Sequence, residues 1–184
     1  MKKLYLYYLR ILITVSIFLP GADTNAGFPP GFQATQIATG LNPTDMKFSP
    51  DGQYLFVTDK AGRIFMVEND VWINTPVLDI TPVIDSYNER GLTHLCADPG
   101  FATNGYLYVY YSRKAGNNNR IARFTFNFTT KTFDPASEYV LLEVDEMLAA
   151  GHLGGAMVFG PDGKLYVTNG DNNQSTFAQS FSSL

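Results

Sequence analysis

The sequence predicts an all-β fold, and three observations carry the prediction. β-prone runs rich in Tyr, Val, Leu and Phe recur along the chain, turn residues punctuate them, and almost no stretch has a helical period. Residues 46–58 form one β-prone run, a turn around Pro50 and a second run; residues 95–111 repeat the plan around Pro99, and residues 157–168 repeat it around Pro161. The turn prolines are spaced by 49 and 62 residues, a period that suits one four-stranded propeller blade. The chain therefore reads as a partial β-propeller, with about two to three blades of four-stranded antiparallel sheet.

Taken in order, the first element is a leader. Residues 1–26 carry Lys2, Lys3 and Arg10, then an apolar run over 11–19 broken only by Thr14 and Ser16, then the small residues Gly21, Ala22 and Ala26. That is the three-part pattern of a secretory signal peptide. The apolar run is too short for a comfortable membrane span, so the reading is cleavage after Ala22 or Ala26, no stable membrane span afterwards, and a periplasmic or secreted product. The mature domain is then 27–184. Its strands are expected on both sides of Pro50, at 63–68 after the turn Lys60-Ala61-Gly62, at 92–97 and 105–111, at 120–127 after the polar loop 116–119, at 139–144, and on both sides of Pro161. Residues 146–150 are expected to give one helical turn. Tyr106, Tyr108, Tyr110, Phe124 and Phe126 alternate at strand spacing and read as blade core.

Charge and cysteine narrow the class. The whole chain has net charge −4, and without residues 1–26, which hold three basic residues and one acidic residue, the charge is −6. Such a surface repels phosphate backbones, so nucleic acid is no partner. Cys96 is the sole cysteine, so an exported chain of this kind depends on core packing rather than an internal disulfide. Cys96 reads as a small buried apolar residue. Propeller blades bury their faces against neighbouring blades. With at most three blades before Leu184 and no capping segment visible, the reading is the amino-terminal part of a longer propeller, truncated at its carboxy end.

One stretch carries chemistry. His152 lies in Gly151-His152-Leu153-Gly154-Gly155, just before the last hairpin, and Asp171 follows that hairpin's second strand. A hairpin folds those two ends together, and a histidine oriented by a carboxylate is a general base suited to neutral pH. Asp171 also sits in Asn169-Gly170-Asp171-Asn172, a run suited to an ordinary turn. His94, within a strand, reads as structural. Asn127-Phe128-Thr129 and Asn173-Gln174-Ser175 are glycosylation sequons that matter only if the source glycosylates exported proteins.

Three segments together bear a resemblance: residues 40–52, Glu89-Arg90-Gly91-Leu92 running into Asp98-Pro99-Gly100-Phe101, and the stretch from His152 to Asp171. In this order and at these separations they resemble the glucose/sorbosone dehydrogenase family, which includes soluble quinoprotein glucose dehydrogenases and aldose sugar dehydrogenases. The match runs from about Gly31 to Leu184 and covers only the opening part of a family domain. The resemblance implies a six-bladed β-propeller that uses pyrroloquinoline quinone with calcium to oxidise a sugar lactol to a lactone, with an electron acceptor left unspecified. It places His152 as the catalytic base and Asp171 as the carboxylate that orients it. It places Glu89 and Gly151 at the substrate: Glu89 where family members often carry a glutamine near the sugar, Gly151 where quinoprotein glucose dehydrogenases carry an acidic group. Glu89 beside Arg90 also reads as a solvated ion pair. The basic residues that hold the quinone and the loop that binds calcium belong to later blades of the family, so cofactor-binding and metal residues are expected outside this chain. Gly151 and Ala156 favour an alternative: a non-catalytic propeller that binds a protein or a glycan. A sugar-lactonase-like hydrolase would require side-chain metal ligands, and no cluster of them stands out.

Overall fold

In the computed structural model, residues 29–180 and 182 are described; the predicted leader lies outside them. Residues 37–184 cluster as one unit, and its described part contains three antiparallel sheets. The first is a meander of β1 (Pro43–Phe48), β2 (Tyr54–Asp59), β3 (Arg63–Glu68) and β4 (Val71–Asp79), paired in chain order. Its first turn is made by Ser49-Pro50-Asp51-Gly52: Gly52 N–H donates to Ser49 O at 2.8 Å, and Asp51 Oδ1 accepts from Ser49 Oγ at 2.6 Å and from Gln53 N–H at 3.1 Å. Gly62 closes the next turn at φ +111, packed so closely that a β-carbon would meet Ile84 at 2.5 Å. Asn69 and Asp70, both left-handed, join β3 to β4, as a two-residue hairpin loop requires. β4 is absent from the sequence-based reading. Pro76 within it breaks the strand signal, yet an outer strand tolerates proline because one side of its ladder needs no N–H.

The second sheet contains β5 (Leu92–Ala97), β6 (Tyr106–Ser112), β7 (Asn118–Asn127) and β9 (Tyr139–Glu146), with β8 (Thr132–Phe133) added at one end of β7. A single turn of helix, α1 (Phe101–Asn104), links β5 to β6 and ends at Gly105, φ +66. The helical turn expected at 146–150 is not formed. β9 runs on to Glu146, Met147 N–H donates to Asn117 O at 2.7 Å, and Asn117 Nδ2 donates to Met147 O at 2.9 Å. Those backbone groups are satisfied by a neighbouring loop instead of by a helix. The third sheet is the hairpin β10 (Gly154–Phe159) and β11 (Leu165–Asn169), turned by Gly160-Pro161-Asp162-Gly163. One four-stranded sheet, a second of five strands and the start of a third make up the predicted partial propeller.

The sheets are held together by aromatic packing. Tyr54 and Phe56 of β2 meet Phe101 of α1 and Phe126 and Phe133 of the second sheet, with ring centroids 5.4 to 6.4 Å apart in tilted and edge-on arrangements. Each such pair adds about 0.5–1.5 kcal/mol beyond the area it buries. A smaller cluster of Tyr110, Ile121, Val144 and Met157 joins the second sheet to the third. Polar contacts pin the innermost strands: Thr44 Oγ1 donates to Leu92 O at 2.6 Å, and Leu95 N–H donates to Asp45 Oδ2 at 3.2 Å. Cys96 is half-buried at the rim of the smaller cluster, not fully buried as its neighbours implied, because alternate positions of β5 face the gap between sheets. Burial raises its thiol pKa.

Candidate functional site

The site is assembled where the third hairpin opens. Gly154 pairs with Asn169 at the base of the ladder, and the chain on either side turns back on itself. Gly154 is left-handed, and a β-carbon there would sit 2.5 Å from Gly170 N; one on Gly170 would collide with His152 O. Only glycines allow the two backbones to approach this closely. Asn172 N–H then donates to His152 O at 3.1 Å. That brings His152 and Asp171 together, with His152 Nδ1 3.0 Å from Asp171 Oδ1. Asp171 Oδ1 also accepts from Asn173 N–H at 3.1 Å.

The pairing defines the proton positions. A carboxylate only accepts, so neutral His152 carries its proton on Nδ1 and leaves the Nε2 lone pair open. Nε2 has no partner among the described residues, and the His152 side chain is 64% exposed while that of Asp171 is 25% exposed. At such exposure the pair contributes about 0–1 kcal/mol to stability; its effect is orientation. His152 itself is left-handed at φ +58, a conformation that costs an L-residue about 1–2 kcal/mol. Hydrogen bonds at both ends of its backbone oppose that cost, each contributing about 0.5–1.5 kcal/mol.

Glu89 supplies one of them. Its Oε2 accepts from His152 N–H at 2.7 Å, and its own N–H donates to Ala150 O at 3.2 Å. Gly151 lies against it: a β-carbon there would be 3.2 Å from the Glu89 carboxylate carbon and from both its oxygens. All four sequence-predicted site residues therefore meet in one place, although Glu89 and Gly151 address the His152 backbone. The solvated Glu89–Arg90 pair is not formed. Arg90 turns the other way, donating to Asp85 Oδ2 at 2.7 Å, Asn117 Oδ1 at 3.0 Å and Ala149 O at 3.0 Å, and so braces the segment before His152. Burial pushes the Asp85 carboxyl up, but the Arg90 and Tyr87 hydrogen bonds outweigh it and hold its pKa below the ordinary value.

A concavity of about 350 Å³ opens beside the pair, lined among others by His152, Asp171, Asn119, Met147, Asn169 and Asn172. Glu89 and Gly151 are outside its lining. Tyr110, whose hydroxyl sits 3.0 Å from both Leu153 O and Asn169 Oδ1, fixes its floor from the second sheet. The site roles of Asn117, Asn172, Arg90 and Tyr110 are absent from the sequence reading, which took Tyr110 as blade core, as its burial bears out, and Arg90 as the partner of Glu89. The left-handed asparagines at 117 and 172 are the signal that could have exposed two of them. Among the described residues no Lys or Arg lines the concavity, and no three His, Cys, Asp or Glu side chains gather as a metal site.

The antiparallel sheets form a partial β-propeller, a fold shared with solved sugar dehydrogenases. The family model for glucose / sorbosone dehydrogenase matches residues 41–184, and the chain belongs to that family. Hedgehog-interacting protein of Homo sapiens is 35% identical over 158 residues, covering 76% of this chain and 22% of that protein. Quinoprotein glucose dehydrogenase B of Acinetobacter calcoaceticus is 26% identical over 185 residues, covering 92% of this chain and 38% of that enzyme. The solved structure of the PQQ-bound aldose sugar dehydrogenase of Streptomyces coelicolor superposes with a TM-score of 0.71 at 24% identity, over 82% of this chain and 44% of that one. The chain thus spans less than half the length of each of these relatives.

Proposed function

We propose that the full-length protein is an exported quinoprotein sugar dehydrogenase that oxidises an aldose lactol to a lactone, and that this chain contributes its proton acceptor. The observation that carries the reading is the His152–Asp171 pair, with Nδ1 tied at 3.0 Å and Nε2 open, in a chain of this family. Nε2 is the atom to take the proton of the anomeric hydroxyl. Asp171 holds the tautomer and favours the imidazolium that results. Glu89 Oε1, the oxygen not engaged by His152, is the atom left to accept from a sugar hydroxyl. Gly151 contributes space and backbone, not a side chain.

Pyrroloquinoline quinone, when bound, would supply the hydride acceptor. It carries three carboxylates, and the concavity beside His152 has no Lys or Arg in its described lining. The described residues fit the proton-handling half of the reaction and do not fit the holding of quinone or of calcium.

The 35% identity to Hedgehog-interacting protein, with no Lys or Arg among the described residues that line the concavity, favours a second reading: a non-catalytic propeller that binds a protein or a glycan. Loading the full-length protein with pyrroloquinoline quinone and calcium and following dye reduction across a panel of aldoses separates the two. Reduction that falls about 10²- to 10⁴-fold in H152Q supports the dehydrogenase. Measurable quinone binding with no reduction by any aldose discards it in favour of the binder.

A further inference from the structure

The left-handed backbone of His152, φ +58, needs a restraint, because the β-carbon of an L-residue in that region crowds the neighbouring carbonyl. Two hydrogen bonds grip it. Its carbonyl accepts from Asn172 N–H at 3.1 Å, a contact between backbones; its N–H donates to Glu89 Oε2 at 2.7 Å, a contact with a side chain 63 residues away in sequence. Glu89 is in turn seated by its own N–H on Ala150 O and by the bare face of Gly151, where a β-carbon would press on the carboxylate at 3.2 Å. The glycine leaves the room that the carboxylate fills.

We infer that Glu89 is a positioning residue for His152: seated in the space left by Gly151, its carboxylate holds the left-handed backbone that turns Nδ1 to Asp171 and Nε2 outward. Without that acceptor, the exposed His152 N–H exchanges a fixed partner for water, which does not restrain φ, and His152 relaxes to an ordinary backbone conformation. Rotation about φ swings the imidazole through several ångströms, and the Nδ1–Asp171 bond is lost with it. The inference rests on the reading that the imidazole of His152 is the working group, but it concerns conformation and is measurable without a sugar.

The test is the tautomer of His152. In the full-length protein with ¹⁵N-labelled histidine, spectra recorded on the alkaline side of imidazole titration distinguish Nδ1–H from Nε2–H, and loss of a signal in H152Q assigns it. Wild type should show Nδ1–H. E89Q keeps an oxygen that can accept the His152 N–H and should retain that form. E89M, equal in length but without an acceptor, and E89A should lose about half or more of the Nδ1–H population. Adding D171N should abolish Nδ1–H in the wild-type background and change little in E89M. An Nδ1–H signal unchanged in E89M and E89A overturns the inference, whatever the activity. Failure of the dehydrogenase reading looks different: no sugar is oxidised while the tautomer still depends on Glu89.

Discussion

At the scale of single residues, the two histidines of the chain differ in exposure and in partners. His152 is open to solvent and paired with Asp171. D171N replaces an acceptor-only group by an amide that can present N–H to Nδ1, which favours the tautomer with its proton on Nε2 and blocks the lone pair. In the dehydrogenase reading, kcat for aldose oxidation by the full-length protein should fall about 10- to 100-fold in D171N, with KM nearly constant; unchanged kcat would remove Asp171 from the proposal. His94 is half-buried on β5, its Nδ1 has no hydrogen-bond partner, and burial lowers its pKa despite the opposing charge of Asp45. A histidine with a folded pKa below its unfolded value binds fewer protons folded than unfolded, so stability rises with pH through that window. His94 thus makes the protein less stable as pH falls below about 6.5 and through the lower folded value. Thermal melts at pH 7.5 and 5.5 should show a smaller acid-induced drop in Tm for H94Q than for wild type.

At the scale of elements, the β10–β11 hairpin positions the chemistry, and its glycines are its weak points. Gly155, φ +115, has Tyr110 Cδ1, His94 Nδ1 and Thr93 Oγ1 within 2.7 to 3.1 Å of where a β-carbon would stand. G155V should therefore push the hairpin off the second sheet, destabilising by about 1–3 kcal/mol in urea melts and disrupting the His152–Asp171 contact with it. Melts superimposable on wild type would contradict that packing argument. The hairpin was legible in the sequence because Pro161-Asp162-Gly163 fixes its turn, and the register then makes 152 and 171 neighbours. β4 was illegible because Pro76 interrupts its alternation. So was the helix-free path after Glu146, which depends on Asn117, a residue 30 positions from the carbonyl it satisfies. The engagement of Glu89 with the His152 backbone is hidden for the same reason: local pattern carries no information about which distant carboxylate will reach a loop N–H.

At the scale of the whole unit, burial is uneven. The first two sheets share the large aromatic core, whereas the third is attached through the smaller cluster around Tyr110 and Met157. Local opening should follow that gradient, with amides of β10 and β11 exchanging before those of β6 and β7 in hydrogen exchange followed by mass spectrometry. Apolar side chains are also left uncovered at both ends of the row of sheets. On β1, Met46 and Phe48 are 58% and 64% exposed; on the hairpin, Val158 and Tyr166 are 60% and 54% exposed. Faces of this kind are sites of association, and strands carrying them can pair or stack with a second copy. A polypeptide of residues 27–184 alone should accordingly self-associate, its mass by light scattering rising with concentration. Replacing Phe48, Val158 and Tyr166 by serine should restore monomer at a cost within about 0.5 kcal/mol per site, the usual range for exposed positions. A concentration-independent monomer before any replacement would mean that these faces are covered within the polypeptide, and the packing gradient drawn from them would have to be revised.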